Sequence, residues 1–324
     1  MNYFSISSQL LIEEAQKFSL KTEILVPEKN LFIISHQNKS VMFKSVDFWE
    51  NSFLWARIAD DKELTYVVLD RLGYPIASTV YLDAKDFTST GLENIQIPPF
   101  PLIIKPIDEA HGNGVMMNIN NKLELEQKLH QSFRAYPRLI IQRQITGKEF
   151  RVLVCKKSII LALFRHPPVI RGDGISTILS LIKKENSTHP LRGEWYNKPL
   201  GLIKVDDELQ NHIAKYWYIL ENVLESGKTL ELRGNSNLWT GGTIEEITDI
   251  LHPSIKNMCL HIADFLKLGI CGIDIMSTDP TLPLVETGGI VLEVNASPGI
   301  GWDRELTSVN TAQEILKCVF DLPH

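Results

Sequence analysis

The chain has 324 residues, of which 44% are apolar and 22% are charged, a composition typical of a globular protein built from more than one subdomain. Its formal net charge is −6 and it contains no lysine- or arginine-rich run, which argues against a nucleic-acid partner. No apolar run approaches the length that crosses a bilayer and the first residues lack the pattern of a signal peptide, so we expect a cytoplasmic protein with no membrane partner.

Residues 1–75 predict a small N-terminal α/β domain. Residues 8–20 place apolar side chains at helical spacing. Three short strand-like runs follow, "KTEILVP", "NLFIISHQ" and "KSVMFKS", separated by polar turns. A second helix is expected in "DKELTYVVLDRLG", with Gly73 at its end.

Residues 76–145 predict a unit of hairpin, helix and strand. "YPIASTVYL" reads as extended chain, and residues 86–100 as a connector. "PLIIKPI" and "VMMNIN" are expected to form a hairpin across the loop "DEAHGNG". The amphipathic helix "NKLELEQKLHQSFRAY" and the strand "RLIIQRQI" complete this unit.

Residues 146–324 predict a larger unit that alternates strands and helices. "FRVLVC" and "IILALFR" flank the turn "KKS" and are expected to pair antiparallel. A long helix is expected near 206–225, a strand at "TLELR", and a helix over 253–268. The strands "ICGIDIM" and "IVLEVN" flank a polar loop.

Strand alternation in these last two runs brings oxygen ligands together. In "IVLEVN", Glu293 and Asn295 share one face, while Asp274 in "ICGIDIM" points away from its apolar neighbours. Two carboxylates and an amide oxygen on a sheet surface are the ligands that Mg²⁺ prefers beside phosphate oxygens. A half-exposed strand whose acids face water is the alternative.

A lysine and several arginines suggest that an anion is bound nearby. Lys105 ends a strand immediately before the glycine-bearing loop, whose N–H groups can cover a phosphate. Arg151 and Arg165 lie on the predicted antiparallel pair, although Arg151 is also compatible with a surface cation. Arg233 stands directly before the polar loop "GNSNLWTGGT", where a role in anion binding is favoured.

At this point the sequence resembles the ATP-grasp enzymes over about residues 76–305. "IIKPIDEAHGNGV" resembles their lysine and flexible phosphate loop, and "LIIQRQITGKEFRVLV" resembles the hinge that holds adenine. "RGDGISTILSLI", "LRGNSNLWTGGT", "CGIDIM" and "VETGGIVLEVNASPG" are similar to the ATP-grasp portions of cyanophycin synthetase and of the bifunctional glutathione-synthesising enzyme. The resemblance implies an ATP-grasp fold of the α/β class, with an N-terminal α/β domain and two subdomains that hold ATP between them.

The resemblance also implies roles for individual residues. Lys105 would contact ATP phosphates beneath a closing loop, and Glu149 would hold the ribose. Arg233 would stabilise the transferring phosphoryl group, and Arg151 or Arg165 would assist it or hold the acid substrate. The closing loop would comprise His111, Gly112, Asn113 and Gly114. The adenine hinge would comprise Gln142, Arg143, Gln144 and Ile145. The ligands of two Mg²⁺ ions, with Mn²⁺ as a substitute, would be Asp274, Glu293 and Asn295.

The chain departs from the family pattern at two positions of this site. The hinge often begins with a glutamate, where this chain has Gln142. Some relatives carry an arginine two residues before the first metal acid, where this chain has Gly272, so Arg233 would supply that charge. The resemblance does not extend to the remaining halves of cyanophycin synthetase or of the bifunctional enzyme, so we expect neither complete activity from these 324 residues.

The resemblance implies an ATP-dependent carboxylate–amine ligase that works through an acylphosphate. Its partners would be small-molecule acid and amine substrates, and a homodimer is an open option. Addition of an amino acid to a peptide or polymer and addition of glycine to a γ-glutamyl dipeptide both remain open. The alternatives are a catalytically silent nucleotide-binding regulator and an enzyme that only phosphorylates its acceptor.

Overall fold

The computed structural model of the chain describes residues 4–48, 50–93, 95–107, 114–194, 198–301 and 305–323. These residues form a mixed α/β structure in which antiparallel sheets carry most of the strands. Among them, no helix combines the length and apolar content needed to cross a bilayer.

The N-terminal part begins with a helix and continues as a four-stranded antiparallel sheet in the order β1-β2-β3-β4. The elements in chain order are α1 (Ile6–Lys17), β1 (Lys21–Val26), β2 (Leu31–His36), β3 (Lys39–Lys44), β4 (Asp47–Phe48), α2 (Phe53–Ala59) and α3 (Lys62–Arg71). Asp61 caps α3 by accepting from two backbone N–H groups, and Gly73 follows the helix with φ of +74°. The predicted helices and strands of this part are confirmed.

The next part is a four-stranded sheet in the order β5-β8-β6-β7. Its elements are β5 (Thr79–Asp83), α4 (Ala84–Thr90), β6 (Leu102–Pro106), β7 (Met116–Ile119), α5 (Lys122–Ser132) and β8 (Arg138–Arg143). The expected hairpin is confirmed, because β6 pairs antiparallel with β7. The predicted connector at 86–100 is wrong in part, since α4 occupies its first residues.

The last part contains a five-stranded antiparallel sheet in the order β15-β10-β9-β16-β17, called here the site sheet. The elements that follow β8 are β9 (Lys148–Cys155), β10 (Ser158–His166), β11 (Val169–Arg171), α6 (Ile178–Thr188), β12 (Arg192–Gly193), β13 (Leu200–Gly201), α7 (Asp207–Ala214), β14 (Thr229–Glu231), β15 (Thr243–Glu246), α8 (Pro253–Phe265), β16 (Ile270–Ser277), α9 (Leu284–Thr287), β17 (Ile290–Asn295) and α10 (Thr311–Phe320). The turn between β9 and β10 confirms the predicted antiparallel pair.

The long helix predicted near 206–225 is wrong in its length, because α7 ends at Ala214. The segment after it leaves helical geometry, with Trp217 at φ of +65°. The carbonyls of Leu220 and Asn222 then accept hydrogen bonds from the first N–H groups of α6. The first N–H groups of a helix have no partner within the helix, and these two carbonyls accept hydrogen bonds from them. If α7 had continued, the same carbonyls would have accepted hydrogen bonds within α7 instead.

The two faces of the site sheet pack against different parts of the chain, and this difference determines where the predicted site residues lie. One face carries Phe150, Val152 and Ile273 and is buried against α8. At one end of the other face, Leu153 shares a core with Phe32 of the N-terminal sheet and with α10. The N-terminal sheet therefore packs onto the last part of the chain. The predicted domain boundaries at 75 and 145 stay predictions.

Candidate active site

The predicted metal ligands meet on the open face of the site sheet. Asp274 pairs with Glu293 across β16 and β17, and two residues further along the pair Asn295 stands opposite Gly272 on the same face. Asn295 Nδ2 donates to Asp274 Oδ2 at 3.3 Å and to Glu293 Oε1 at 3.1 Å. The side chain of Asp274 is 3% exposed, whereas that of Glu293 is 36% exposed. The structure thus brings the three side chains together, and their role in holding a metal stays a prediction.

Two arginines stand beside these carboxylates. Arg151 faces Asp274 across β9 and β16 and binds it with two hydrogen bonds, of which Nε to Oδ1 measures 2.6 Å. Arg165 Nη1 donates to Glu149 at 2.8 Å and lies 3.8 Å from Asp274 Oδ2. Glu149, predicted to hold the ribose, therefore pairs with an arginine in this cluster.

Charge and burial set the protonation of the acids. Burial raises the pKa of Asp274, but Arg151 and Arg165 outweigh it and the pKa is about 2. Burial and the neighbouring charge of Asp274 raise the pKa of both Glu149 and Glu293. Three carboxylates share two guanidinium groups, so the cluster has an excess negative charge when every group is ionised.

Gly272 makes room for Arg151. A Cβ atom at position 272 would lie 3.2 Å from Arg151 Cδ, 3.3 Å from Arg151 Nε and 3.2 Å from Pro298 Cβ. The guanidinium-bearing chain of Arg151 therefore lies where a side chain at 272 would begin. The positive charge expected beside Asp274 comes from the neighbouring strand and is supplied by Arg151.

Lys105 is connected to the site sheet through a tyrosine. Lys105 Nζ donates to the Tyr66 hydroxyl at 3.2 Å, and that hydroxyl donates to the Leu292 carbonyl at 2.8 Å. Leu292 directly precedes Glu293 in β17. Two hydrogen bonds thus link the lysine of the β5–β8 sheet to the strand that carries Glu293.

Of the predicted phosphate loop, His111, Gly112 and Asn113 lie outside the described residues. Gly114 is described and has φ of +70°. A Cβ atom there would come within 2.7 Å of Pro106 Cγ and of the Tyr136 ring. Only glycine fits this position, because both the backbone angle and the space exclude a side chain.

The predicted hinge joins β8 to β9. Gln142 is buried and its Nε2 donates to Thr79 Oγ1 at 2.8 Å. Gln144 makes two hydrogen bonds to Asn118, while its backbone N–H donates to the Pro101 carbonyl. The N–H of Arg143 donates to Ser78. The backbone N–H of Ile145 has no hydrogen bond to the described part of the chain, and the role of this hinge in binding adenine stays a prediction.

Arg233 is fully buried in a separate cluster around α7. Its Nη2 and Nη1 donate to Asp206 and Glu208, both at 2.6 Å, and Nη2 also donates to the Lys204 carbonyl. Within the described residues, none of these contacts involves Asp274, Glu293 or Asn295. A phosphoryl-binding role for Arg233 stays a prediction, and Arg151 stands closer to the acids.

The donor set fits a hard divalent cation. Its donors are oxygens and the negative charge of the cluster exceeds the positive. Burial and the charge of Asp274 raise the pKa of Glu149 and of Glu293, and a bound cation would favour their ionised forms. The described residues contain no group of three or more His, Cys, Asp or Glu able to hold a metal. In the predicted set, the amide oxygen of Asn295 would be the third protein ligand.

Sequence reasoning missed three features of this site. The sequence places Tyr66 only in a helix, and it identifies Gly272 only as the position where some relatives carry an arginine. The third feature is a pocket of about 60 Å³ that the two arginines share with aliphatic side chains from β9, β10 and β15. Alternating leucines in "IILALFR" were the available signal, but strand pairing was needed to place them beside Arg151.

Comparisons with known proteins all point to relatives of the ATP-grasp type that the sequence resembles. Residues 221–319 match the model of the RimK-like ATP-grasp domain. Cyanophycin synthetase of Trichormus variabilis is 32% identical over 250 residues, which cover 77% of this chain and 27% of that protein. The glutathione biosynthesis bifunctional protein of Clostridium perfringens is 28% identical over 301 residues, covering 91% of this chain and 38% of that protein. The chain thus spans well under half the length of these curated relatives.

The fold has a counterpart among solved structures. The crystal structure of a bifunctional glutathione synthetase from Pasteurella multocida matches with a TM-score of 0.74 and 23% identity, over 98% of this chain and 44% of that one. This match confirms the predicted fold. Together with the sequence similarity, it shows that the chain has the ATP-grasp fold and that residues 221–319 belong to the RimK-like ATP-grasp domain family.

Proposed function

We propose that the chain is an ATP- and Mg²⁺-dependent carboxylate–amine ligase, which forms an amide bond through an acylphosphate on an amino acid or small peptide. An oxygen of the acid substrate attacks the γ-phosphorus of ATP, and ADP leaves. The amine then attacks the acyl carbon, phosphate leaves, and the amine gives up a proton. Such phosphoryl transfer depends on positioning and charge neutralisation more than on covalent help from the protein.

The observation that carries this proposal is the hydrogen-bonded link from Lys105 through Tyr66 to the strand of Glu293. It supports a triphosphate site between the β5–β8 sheet and the site sheet, since the hydrogen bonds connect a cation of one sheet to the strand of the other sheet that carries Glu293. Lys105 would neutralise phosphate oxygens there. Arg151 and Arg165 would keep positive charge where the acid and the γ-phosphate meet.

Asp274, Glu293 and Asn295 would hold the metal, which when bound would screen the phosphate charge and orient the γ-phosphate. The Arg151 pair does not prevent this for Asp274, because each carboxylate oxygen has more than one lone pair. Asn295 would turn its amide so that Oδ1 faces the metal. Arg151 would then keep the buried carboxylate of Asp274 fixed and ionised.

A second candidate has the same chemistry with other substrates. Similarity to the glutathione biosynthesis protein covers 91% of this chain, against 77% for cyanophycin synthetase. This coverage supports testing a γ-glutamyl dipeptide with glycine beside amino acids and peptides.

The test is ADP release over pairs of acids and amines, with Glu293→Gln as the diagnostic variant. Glu286→Gln is the matched control, since Glu286 is an exposed residue of α9 outside the cluster. We expect Glu293→Gln to lower substrate-dependent ADP release by at least about 100-fold, while the control keeps wild-type turnover. Unchanged turnover in Glu293→Gln would contradict the metal assignment.

Two further outcomes would replace the proposal. ATP binding without ADP release for any pair would favour the silent regulator. A stable phosphorylated product that does not react with hydroxylamine would favour simple phosphorylation of the acceptor, since an acylphosphate gives a hydroxamate under the same conditions.

A further inference from the structure

A small pocket adjoins the acid cluster on the open face of the site sheet. It has a volume of about 60 Å³ and is lined at one end by Arg151 and Arg165. Its other walls are mainly aliphatic, formed by Leu153, Leu161, Leu163, Leu238, Ile244 and Ile300. No carboxylate lines it among the described residues.

Strand register explains why cations and leucines alternate here. Leu163 of β10 stands opposite Arg151 of β9, and two residues further along Leu161 stands opposite Leu153. Arg165 of β10 stands opposite Ile244 of β15. The surface of the sheet therefore changes from charged, at Arg165 and Arg151, to aliphatic, at Leu161 and Leu153.

The charged end lies beside the predicted reaction centre, because Arg151 is bonded to Asp274. With the proposed Mg²⁺ bound, the excess negative charge of the acid cluster would be offset, and the two guanidinium groups would attract a carboxylate and repel an ammonium ion. The group bound at this end is therefore the carboxylate that is to be phosphorylated, and the side chain of the same substrate extends towards the leucines.

We infer that the acid substrate carries a small aliphatic side chain, which is bound in this pocket. This inference rests on the proposed ligase function and adds the chemical class of its acid. The volume of about 60 Å³ is several times the roughly 10 to 15 Å³ in which a single water fits, so the pocket has room for side chains such as those of alanine, 2-aminobutyrate and valine. A second carboxylate at the aliphatic end would have no cationic partner there, and burying it would be costly.

The test measures hydroxamate formation from ATP, Mg²⁺ and hydroxylamine, which needs no knowledge of the natural amine. The acids are alanine, 2-aminobutyrate, valine, leucine, aspartate and glutamate, each offered as the free amino acid and as the C-terminal residue of a glycyl dipeptide. We expect kcat/KM to be at least about 10-fold higher for the first three than for aspartate or glutamate.

The diagnostic variants alter Leu163, whose side chain is half-buried at the pocket. Leu163→Ala should raise the leucine-to-alanine ratio of kcat/KM by about 10-fold, and Leu163→Phe should lower the valine-to-alanine ratio. These ratios are taken within one variant, so they do not depend on how much of it is folded. Leu260→Ala is the matched control, because Leu260 is a half-buried residue of α8 that packs on the opposite face.

The outcomes separate this inference from the proposed function. Hydroxamate formed preferentially from aspartate or glutamate, or ratios that stay unchanged in both Leu163 variants, would overturn the inference and leave the ligase function standing. No hydroxamate from any acid, in a protein that binds ATP, would overturn both.

Discussion

Replacing Arg151 by methionine is expected to destabilise the protein strongly and in a pH-dependent way. Asp274 is 3% exposed and depends on Arg151 for two hydrogen bonds. Its pKa of about 2, against an ordinary value of 3.8, corresponds to a stabilisation on the order of 2 kcal/mol at neutral pH. Because Arg151→Met also leaves a buried carboxylate without its main partner, we expect a loss of about 3 to 4 kcal/mol at pH 7.

The sign of the pH dependence follows from the direction of the pKa shift. A lowered carboxyl pKa stabilises the folded protein above pH 4, and this contribution is lost as the pH falls towards 2. Without Arg151, burial alone would raise the pKa of Asp274. The cost of burying the ionised Asp274 carboxylate would then be largest at pH 7, and it would decrease at lower pH as the carboxyl takes up a proton. The difference between variant and wild type should therefore be smaller at pH 4 than at pH 7.

The assay is urea unfolding at pH 7 and at pH 4 in the presence of a chelator, so that no metal binds the acids. Arg138→Met is the control, because Arg138 forms a comparable pair with Glu63 in which the side chains are 41% and 37% exposed. An exposed pair is expected to contribute less than about 1 kcal/mol. A loss below about 1 kcal/mol for Arg151→Met, or an equal loss at both pH values, would refute the reasoning.

Three further predictions concern the site and its surroundings. In Glu293→Gln, the stabilisation that Mg²⁺ and ADP together give the wild type should largely disappear, as measured by thermal unfolding with and without both ligands. Lys105→Met should weaken ATP binding about 10- to 100-fold in a nucleotide titration, and Tyr66→Phe should weaken it less, because Tyr66 only positions the lysine. Burial raises the pKa of Asp47 to about 6 against the opposing hydrogen bond from Ser297, which costs the folded protein stability that grows as the pH rises from about 4 to 6. Asp47→Asn should therefore raise the free energy of unfolding by about 1 to 2 kcal/mol at pH 7.5, with the gain shrinking below pH 6 and vanishing below pH 3.8.

Each of these has an outcome that would contradict it. An undiminished thermal shift in Glu293→Gln would place the metal elsewhere. If Tyr66→Phe weakened ATP binding as much as Lys105→Met, the tyrosine would have to contact the nucleotide itself. A stability gain in Asp47→Asn that persisted undiminished below pH 3.8 would mean that packing, and not the buried charge, accounts for it.

The sequence located the acids because strand alternation is a local property. Glu293 and Asn295 lie two residues apart on β17, and Asp274 stands among apolar residues on β16, so their faces were predictable without the fold. The pairing of β9 with β16 is not local, and the partner of Asp274 was therefore not predictable. It lies 123 residues away in the chain.

The same limit explains the interpretation of Arg233. Its position before a polar glycine-bearing loop favoured anion binding, but its partners Asp206 and Glu208 lie 27 and 25 residues earlier, around the start of α7. The helix predicted there was too long, because the carbonyls that α6 takes from Leu220 and Asn222 cannot be seen from periodicity.

Gly272 and Arg151 show how strand pairing can supply a charge that the expected position lacks. A glycine at 272 removes any side chain from the rung next to Asp274, and Arg151 occupies that space from the adjacent strand. The carboxylate therefore has a guanidinium partner although its own strand provides none. Because Arg151 also lines the aliphatic pocket, the residue that keeps Asp274 ionised stands where we propose that the acid substrate binds. A Cβ atom at 272 would come within 3.2 Å of Arg151 Cδ and 3.3 Å of its Nε, so a side chain there would require Arg151 to shift and would disturb both the charge at the acids and the shape of the pocket.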